Sequence, residues 1–301
     1  MLQLSDYRDL IHLDEPFPVP ANDQRANFDL LMTALSGLED KHFTGTSSLS
    51  HLMTDESLMR WLLAELTARE PGELNPIAER AINTILYRNM GREGRVEARN
   101  LRRVSEYLPE CDFPFAENLV LYRGDIRKLV TDAVVDPALP ELTGCPIPLH
   151  NCLDWHLHAQ AGPWMRNDAA KIIELQGFKE KPGHAKITRG YRLPARFVIH
   201  TVGPDVTDGA VSDNARKELR NCYMSSLDLA HEQGTIRSIA FPAISTGING
   251  FPPEEAAQIA LTAISDWTLA HHDSLIDLIL ISVRFDEDAE VYTKALSEWV
   301  W

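Results

Sequence analysis

The chain has 301 residues, 44% of them hydrophobic, and its 44 acidic and 29 basic residues give a net charge of −15 at pH 7. This length can bury one large core and leaves residues for a second, smaller unit. The negative charge argues against nucleic acid and anionic membranes as partners, because both repel an acidic surface. It does not exclude a small phosphorylated ligand, since backbone N–H groups bind phosphate without adding net charge.

The N-terminal residues show no basic start and no apolar run of signal-peptide length. No apolar stretch approaches the ~20 residues of a membrane span. We therefore expect an intracellular, cytoplasmic protein, whose oligomeric state the sequence leaves open. The four cysteines are too few and too unevenly spaced for a secreted disulfide framework, which predicts free thiols or metal ligands. They are Cys111, Cys145, Cys152 and Cys222.

The first part of the chain shows a helical pattern. Apolar residues recur at helical spacing from about residue 23 to residue 108, and Thr54 begins one such segment like a helix cap. This pattern predicts a mostly helical N-terminal extension over residues 1–115. Five arginines near its end could meet an acidic substrate, although a solvated helix face is the simpler interpretation. They are Arg92, Arg95, Arg99, Arg102 and Arg103.

The helical pattern stops in a proline-bearing segment, residues 109–118, which we interpret as the domain boundary. Beyond it, short apolar runs alternate with amphipathic stretches. Buried strands are predicted at residues 119–122, 133–135, 197–202, 236–244 and 275–283. Helices are predicted at residues 151–175, 214–233, 253–268 and 289–299. This alternation predicts an α/β fold over residues 116–301, a three-layer α/β/α sandwich with a largely parallel or mixed central sheet.

The most ligand-like segment is residues 241–252, FPAISTGINGFP, which leaves a predicted strand and enters a predicted helix. Its glycines would let successive N–H groups approach a diphosphate. The segment matches neither the P-loop nor the dinucleotide fingerprint, which weakens kinase and NAD-dehydrogenase interpretations. Taken alone, such a segment is more often only a turn.

A second cluster has the pattern C-x4-H-x-C, formed by Cys145, His150 and Cys152. Two thiolates and an imidazole suit zinc, and three protein ligands leave the fourth tetrahedral position open, as catalytic zinc requires. His156 or His158 could instead become a fourth ligand and make the site structural. The simplest alternative is two buried thiols and a histidine near the start of a helix.

Gly124, Asp125 and Ile126 directly follow the first predicted strand of the α/β region. A carboxylate at this place could accept hydrogen bonds from the exocyclic amine of a base, while the apolar neighbour packs on the ring. The alternative is an ordinary aspartate that caps a short helix.

Together these features resemble the macrodomain family. Residues 185–204, AKITRGYRLPARFVIHTVGP, resemble the family's central signature almost position by position. The Gly-Asp-Ile start, the glycine-containing loop and the C-x4-H-x-C insertion resemble more narrowly the zinc-dependent protein-ADP-ribose hydrolases, whose genes often lie beside sirtuin-like ADP-ribosyltransferases. The resemblance covers about residues 119–283 and implies a macrodomain that binds ADP-ribose. A preceding helical extension is typical of the same subgroup.

The resemblance implies roles for matching residues. Asp125 and Ile126 would hold the adenine, whereas His200 would be a structural core residue. The residues implied to bind the diphosphate are Ser245, Thr246, Gly247, Ile248, Asn249 and Gly250. The residues implied to lie beside the distal ribose are Leu153, Asp154 and Phe251, and Cys152 is also counted among the ADP-ribose-binding residues. The implied Zn²⁺ ligands are Cys145, His150 and Cys152.

The chain departs from the family pattern at residues 136–139, where it reads DPAL in place of the usual Asn-Ala-Ala-Asn. The second Asn normally helps to position the distal ribose, and Leu139 has no side-chain hydrogen bond to offer. Pro137 and Pro140 stiffen this loop, so activity or linkage preference could differ from those of relatives. Trp155 also replaces a usual Asn, and would form either a stacking wall or part of the core.

The favoured hypothesis is a zinc-dependent hydrolase that removes mono-ADP-ribose from protein side chains. Zinc would polarise a ribose hydroxyl or activate a water, and Asp154 would orient the reacting group as the catalytic residue. The expected partners are ADP-ribosylated protein and ADP-ribose. One alternative is a non-catalytic reader with structural zinc, and another is a hydrolase of free derivatives such as O-acyl-ADP-ribose or ADP-ribose phosphate.

Overall fold

The computed structural model describes residues 2–38, 53–92 and 94–300. Nine helices lie in these ranges: α1 (Leu4–Tyr7), α2 (Asn27–Ser36), α3 (Asp55–Ala68), α4 (Pro76–Arg92), α5 (Leu153–Ala161), α6 (Pro163–Gln176), α7 (Asp213–Gln233), α8 (Pro253–Ala270) and α9 (Asp286–Ser297). Eight strands lie in the same ranges: β1 (Val96–Glu97), β2 (Leu119–Arg123), β3 (Leu129–Val130), β4 (Ala133–Pro137), β5 (Ala185–Arg189), β6 (Phe197–Thr201), β7 (Ser238–Pro242) and β8 (Leu278–Val283).

Six of the strands form one sheet in the order β2-β8-β7-β4-β6-β5. Neighbouring strands are parallel, except that β5 runs antiparallel to β6. The central strands are mostly apolar, and every residue of β8 (LILISV) is buried. Such runs are typical of parallel strands that are covered on both faces. The predicted mixed sheet is therefore confirmed.

Helices cover both faces of the sheet. Because side chains alternate along a strand, Ile239 and Phe241 of β7 point into one core and Ala240 into the other. The first core includes residues of α7, α8 and α9, and the second includes residues of α5 together with Met165 of α6. This arrangement confirms the predicted three-layer α/β/α fold. Within the described ranges, no helix combines the length and apolarity needed to cross a membrane.

The α2, α3 and α4 helices form a helical unit with its own core, in which Leu30, Leu62 and Ile82 are fully buried. The predicted helical pattern is wrong after Arg92, where β1 and short 3-10 turns follow. Arg99 consequently lies on a turn rather than on a helix face, and it pairs with Asp277 at 2.8 Å. Residues 39–52 of the predicted helical region lie outside the described residues. The division at residue 115 remains a prediction.

The first residues of the chain pack with the α/β part rather than with the helical unit. Leu4 and Tyr7 of α1 lie in the same core as β5 and α7. The Tyr7 hydroxyl accepts a hydrogen bond from the backbone N–H of Ile187 at 3.1 Å, which satisfies a donor on the edge strand β5. The short α1 therefore covers part of the sheet edge.

Two elements differ from prediction for identifiable reasons. The helix predicted over residues 151–175 is broken into α5 and α6, because Gly162 has φ of 93° and Pro163 begins α6. The strand β5 is not predicted as a separate element by the apolar pattern. It lies at the edge of the sheet and mixes polar with apolar residues, so it lacks the apolar run of a central strand.

Candidate functional site

The loops predicted to bind ligand lie at one edge of the sheet. They follow β2, β7 and β4, which are parallel strands with β8 between β2 and β7. The carboxyl ends of parallel strands share one edge, and in open α/β sheets that edge is where ligands bind. The fold thus brings together three predicted segments that are far apart in sequence.

Asp125 caps the short 3-10 turn Ile126–Lys128 by accepting from the backbone N–H of Arg127 at 3.0 Å. The Arg127 guanidinium also donates to this carboxylate, at 2.9 and 2.6 Å. Burial alone would raise the pKa of Asp125, but Arg127 outweighs it and lowers the pKa below its usual value. Ile126 is buried beside the sheet. Asp125 therefore caps the short turn. Its carboxylate remains partly exposed, and its contact with a base stays a prediction.

The loop at residues 245–250 has the form of an anion cradle. Within the described part of the chain, the backbone N–H groups of Thr246, Gly247, Ile248 and Asn249 have no hydrogen-bond acceptor. Ser245 begins the loop with φ of 64°, a left-handed conformation that turns the following N–H groups out of the strand direction. Four successive unpaired donors suit the oxygens of a diphosphate.

Contacts of Asn249 and Phe251 hold the cradle in place. The Asn249 side-chain amide donates to the carbonyls of Gly203 and Pro204, at 3.4 and 3.2 Å. Phe251 donates through its N–H to the carbonyl of Ser245, closing the loop at 2.9 Å, and its ring lies 1% exposed in the main core. The structure therefore shows Phe251 as a core residue, and its predicted contact with the distal ribose remains a prediction.

Cys145, His150 and Cys152 are brought together with all potential ligand atoms within 4.8 Å of one another. The Cys145 Sγ and His150 Nδ1 atoms are 3.4 Å apart, and neither cysteine is in a disulfide. Cys152 is the N-cap of α5, where its Sγ accepts from the N–H of Trp155. Burial, together with the charge of Cys145, raises the pKa of the Cys152 thiol to about 12.

This donor set fits Zn²⁺. Two thiols and an imidazole are its preferred ligands, and a bound divalent ion removes the proton that burial otherwise keeps on the thiol. Among the described residues, neither His156 nor His158 joins the cluster. The three-donor arrangement leaves room for a further ligand, as in catalytic rather than structural zinc sites.

Asp154 is buried in the first turn of α5, and neither of its carboxylate oxygens has a hydrogen-bond partner among the described residues. Burial, followed by the charge of Asp136, raises its pKa well above the usual value. Its Oδ1 lies 3.4 Å from His158 Nε2, one helical turn away. Leu153, just before it, packs against the second core. The sequence predicts Asp154 beside the cysteine cluster, but it does not predict that the carboxylate is buried.

Behind Asp154 lies a buried group of Asp136, His158 and His200. Asp136 Oδ2 is 2.8 Å from His200 Nδ1 and 3.5 Å from His158 Nε2. Burial would raise the pKa of Asp136, but the two imidazoles hold it well below its usual value. Burial lowers the pKa of His158 to about 4. His200 is fully buried, in agreement with its predicted structural role.

The two departures from the family pattern have different outcomes. Leu139 is 41% exposed, so its apolar side chain is not part of the core. Trp155 is buried, packs in a cluster with Cys145 and Cys152, and donates through Nε1 to Thr67 Oγ1 at 2.8 Å. It is therefore part of the core and not a stacking wall. Sequence reasoning missed Thr67, because nothing in its local pattern marks a contact with a residue 88 positions away.

Comparison with known proteins agrees with this fold. The family model described as Macro domain matches residues 140–260. A Staphylococcus aureus (strain MRSA252) protein named protein-ADP-ribose hydrolase is 40% identical over 181 residues, which is 60% of this chain and 67% of that protein. The ADP-ribose glycohydrolase MACROD1 of Bos taurus is 40% identical over 197 residues, 65% of this chain and 57% of its own length.

Solved structures give the same assignment. An Oceanobacillus iheyensis macrodomain with ADP has a TM-score of 0.51 and 34% identity, covering 58% of this chain and 87% of that one. A Trypanosoma brucei macrodomain in complex with ADP-ribose has a TM-score of 0.57 and 28% identity, covering 76% of this chain and 97% of that one.

Proposed function

Because the chain belongs to the Macro domain family, we propose that it is a zinc-dependent hydrolase that removes mono-ADP-ribose from modified protein side chains. The relatives named as protein-ADP-ribose hydrolase and ADP-ribose glycohydrolase support hydrolysis of this ligand. The zinc-dependent, sirtuin-linked subgroup is the finer part of the proposal, and it rests on the C-x4-H-x-C cluster.

The strand order is the observation that carries the proposal. Along the carboxyl edge, Asp125 follows β2, the cradle follows β7 and the metal cluster follows β4. With about 4.8 Å between neighbouring strands, these segments are spaced over roughly 15 Å. Adenine, diphosphate and distal ribose come in the same order along ADP-ribose. A ligand laid across the edge would therefore end with its distal ribose at Cys145, His150 and Cys152.

The chemistry at that end needs water to replace the protein side chain at the anomeric carbon. The bond from this carbon to the side chain breaks, a hydroxyl group from water takes its place, and the leaving side chain takes the proton. Zn²⁺ held by Cys145, His150 and Cys152 would supply a Lewis acid. Asp154, which is buried beside the cluster, would orient the reacting hydroxyl group, while the cradle holds the diphosphate.

The experiment follows free ADP-ribose by mass spectrometry after incubation with proteins mono-ADP-ribosylated through different linkages. Zinc-loaded protein, chelated protein and the Cys145→Ala variant are compared. Cys111→Ala is the matched control, because Cys111 is also a free cysteine but lies outside the cluster.

We expect release only from zinc-loaded protein and from the Cys111→Ala control. Release that survives chelation and Cys145→Ala would remove zinc from the mechanism. Absence of release from every linkage, with ADP-ribose still bound, would leave a non-catalytic reader. Release only from free ADP-ribose derivatives would make a metabolite the substrate.

A further inference from the structure

The C-terminal half of α3, in the helical unit, lies against the start of α5. Leu63 packs in the cluster that contains Cys145, Cys152 and Trp155. The helical unit therefore packs against the cluster that includes two of the three candidate metal ligands, although its sequence carries none of them. Its role is open, because a neighbouring unit can either stabilise the fold or take part in the site.

Thr67 of α3 and Trp155 of α5 form a buried hydrogen bond whose direction is fixed. The Thr67 hydroxyl uses its one proton on a backbone carbonyl of its own helix, with Leu63 O at 2.9 Å and Ala64 O at 3.1 Å. Its oxygen is left to accept the indole N–H of Trp155 at 2.8 Å. Both side chains are buried, so water cannot readily replace either partner.

Trp155 transmits this contact to the site in two ways. It directly follows Asp154 in the first turn of α5, and its backbone N–H donates to Cys152 Sγ at 3.4 Å. A shift of the indole would therefore move the turn that carries the candidate catalytic carboxylate and one metal ligand. Hydrogen bonds one step removed from a metal typically tune its affinity and reactivity in this manner.

A second, independent contact joins the same end of α3 to the site. Arg166 of α6 is buried, and its Nη2 donates to the backbone carbonyl of Arg69, the C-cap of α3, at 3.0 Å. Burial lowers the pKa of Arg166, and the charges of Asp154 and then of Glu70 are the largest effects that oppose it. The carbonyl of Arg69 thus holds a guanidinium whose charge interacts with that of Asp154.

We propose that Thr67 is a positioning residue, which acts through Trp155 on Asp154 and Cys152 and so makes the helical unit part of the reaction centre. This inference rests on the proposed hydrolase function. It assigns α3 a role in the metal affinity or the turnover of the site, and not in recognition of the adenine or the diphosphate.

The test compares three variants of the full chain. Thr67→Val keeps the shape of the side chain and removes the acceptor, while Thr67→Ser keeps the hydroxyl. Thr84→Val is the matched control, because Thr84 of α4 is also buried and, among the described residues, its hydroxyl bonds only to the carbonyl of Arg80 in its own helix. For each variant, kcat and KM are measured for ADP-ribose release, zinc affinity by chelator competition, and ADP-ribose affinity by calorimetry.

Thr67→Val should lower kcat or zinc affinity about 10- to 100-fold, as loss of a supporting contact around a metal site usually does. ADP-ribose affinity should stay unchanged, and Thr67→Ser and Thr84→Val should behave like the parent. Equal kcat and zinc affinity in Thr67→Val and Thr84→Val would overturn the inference. If the parent binds zinc but releases no ADP-ribose, the proposed function fails, while the zinc affinities still decide the role of Thr67. A parent that neither binds zinc nor releases ADP-ribose would overturn both.

Discussion

Replacing Gly203 by alanine should weaken ADP-ribose binding without unfolding the protein. A Cβ atom at this position would lie 2.2 Å from Ser245 Oγ and 3.0 Å from Ile244 Cγ2. Both contacts are closer than van der Waals separation allows, and Ser245 is buried at the first position of the cradle. Overpacking of this kind costs about 1–3 kcal/mol.

The strain should appear mainly in binding. The free protein can relax by moving Ser245 and the loop behind it, but the bound state needs the four N–H groups in their original places. If binding forces the loop back into the strained position, the full strain energy is lost from binding, and affinity for ADP-ribose falls about 5- to 150-fold, because ~1.4 kcal/mol corresponds to a factor of ten. Titration calorimetry with ADP-ribose measures this effect, and urea unfolding measures the accompanying change in stability.

Gly209→Ala is the control for this substitution. Gly209 follows Gly203 by six residues, and a Cβ atom added to it would meet no atom within 4 Å. This variant should bind ADP-ribose as the parent does. If Gly203→Ala binds as tightly as Gly209→Ala, residues 245–250 are not the diphosphate site, and the cradle would be only a turn.

Three further predictions concern the fold and the site. Tyr7→Phe leaves the Ile187 N–H without its acceptor and should lower the free energy of unfolding by about 1–3 kcal/mol in urea; a change below ~0.5 kcal/mol would mean that the edge strand does not need α1. His158 has a folded pKa of about 4, below its unfolded value of 6.5, so the unfolded state binds the proton first and stability should fall by about 3 kcal/mol as pH drops from 6.5 to 4. His158→Gln should flatten that pH profile, and an unchanged profile would assign the loss to another group. Leu139→Asn adds a hydrogen-bonding amide at an exposed position and should raise ADP-ribose affinity or kcat up to about tenfold with little change in stability, whereas no gain in either would show that the amide is not needed here.

The strands were predictable because parallel strands buried on both faces appear as short apolar runs, as in β7 and β8. The ends of the strands were less predictable. Residues 275–277 were predicted as part of the last strand because they are partly apolar, but β8 begins after them. The break between α5 and α6 was visible as Gly162 followed by Pro163, but a continuous amphipathic pattern outweighed it. The packing of α1 against β5 depends on a contact between residues 180 positions apart, which no local pattern encodes.

The candidate site also has a part that the sequence predicts and a part that it does not. Cys145, His150 and Cys152 are close in sequence, so their spacing was enough to predict that they meet. The group of Asp136, His158 and His200 could not be predicted, because it needs the register of β4 against β6 and the packing of α5 on both. The contact of Thr67 with Trp155 likewise depends on how the helical unit docks. Local chemistry was therefore predictable, and the residues that hold it in place were not.

The unsatisfied polar groups around the start of α5 favour a reactive site over a structural one. Asp154 and Arg166 are buried, and atoms of both side chains lack hydrogen-bond partners among the described residues. Each such group lowers stability by about 1–3 kcal/mol, so a module that only had to hold zinc would be more stable with apolar residues here. Natural folds keep such groups mainly where a ligand or a reaction uses them. The cradle adds four unpaired N–H groups at the same edge of the sheet. The proposed substrate, ADP-ribosylated protein, offers polar groups that suit both the cradle and Asp154.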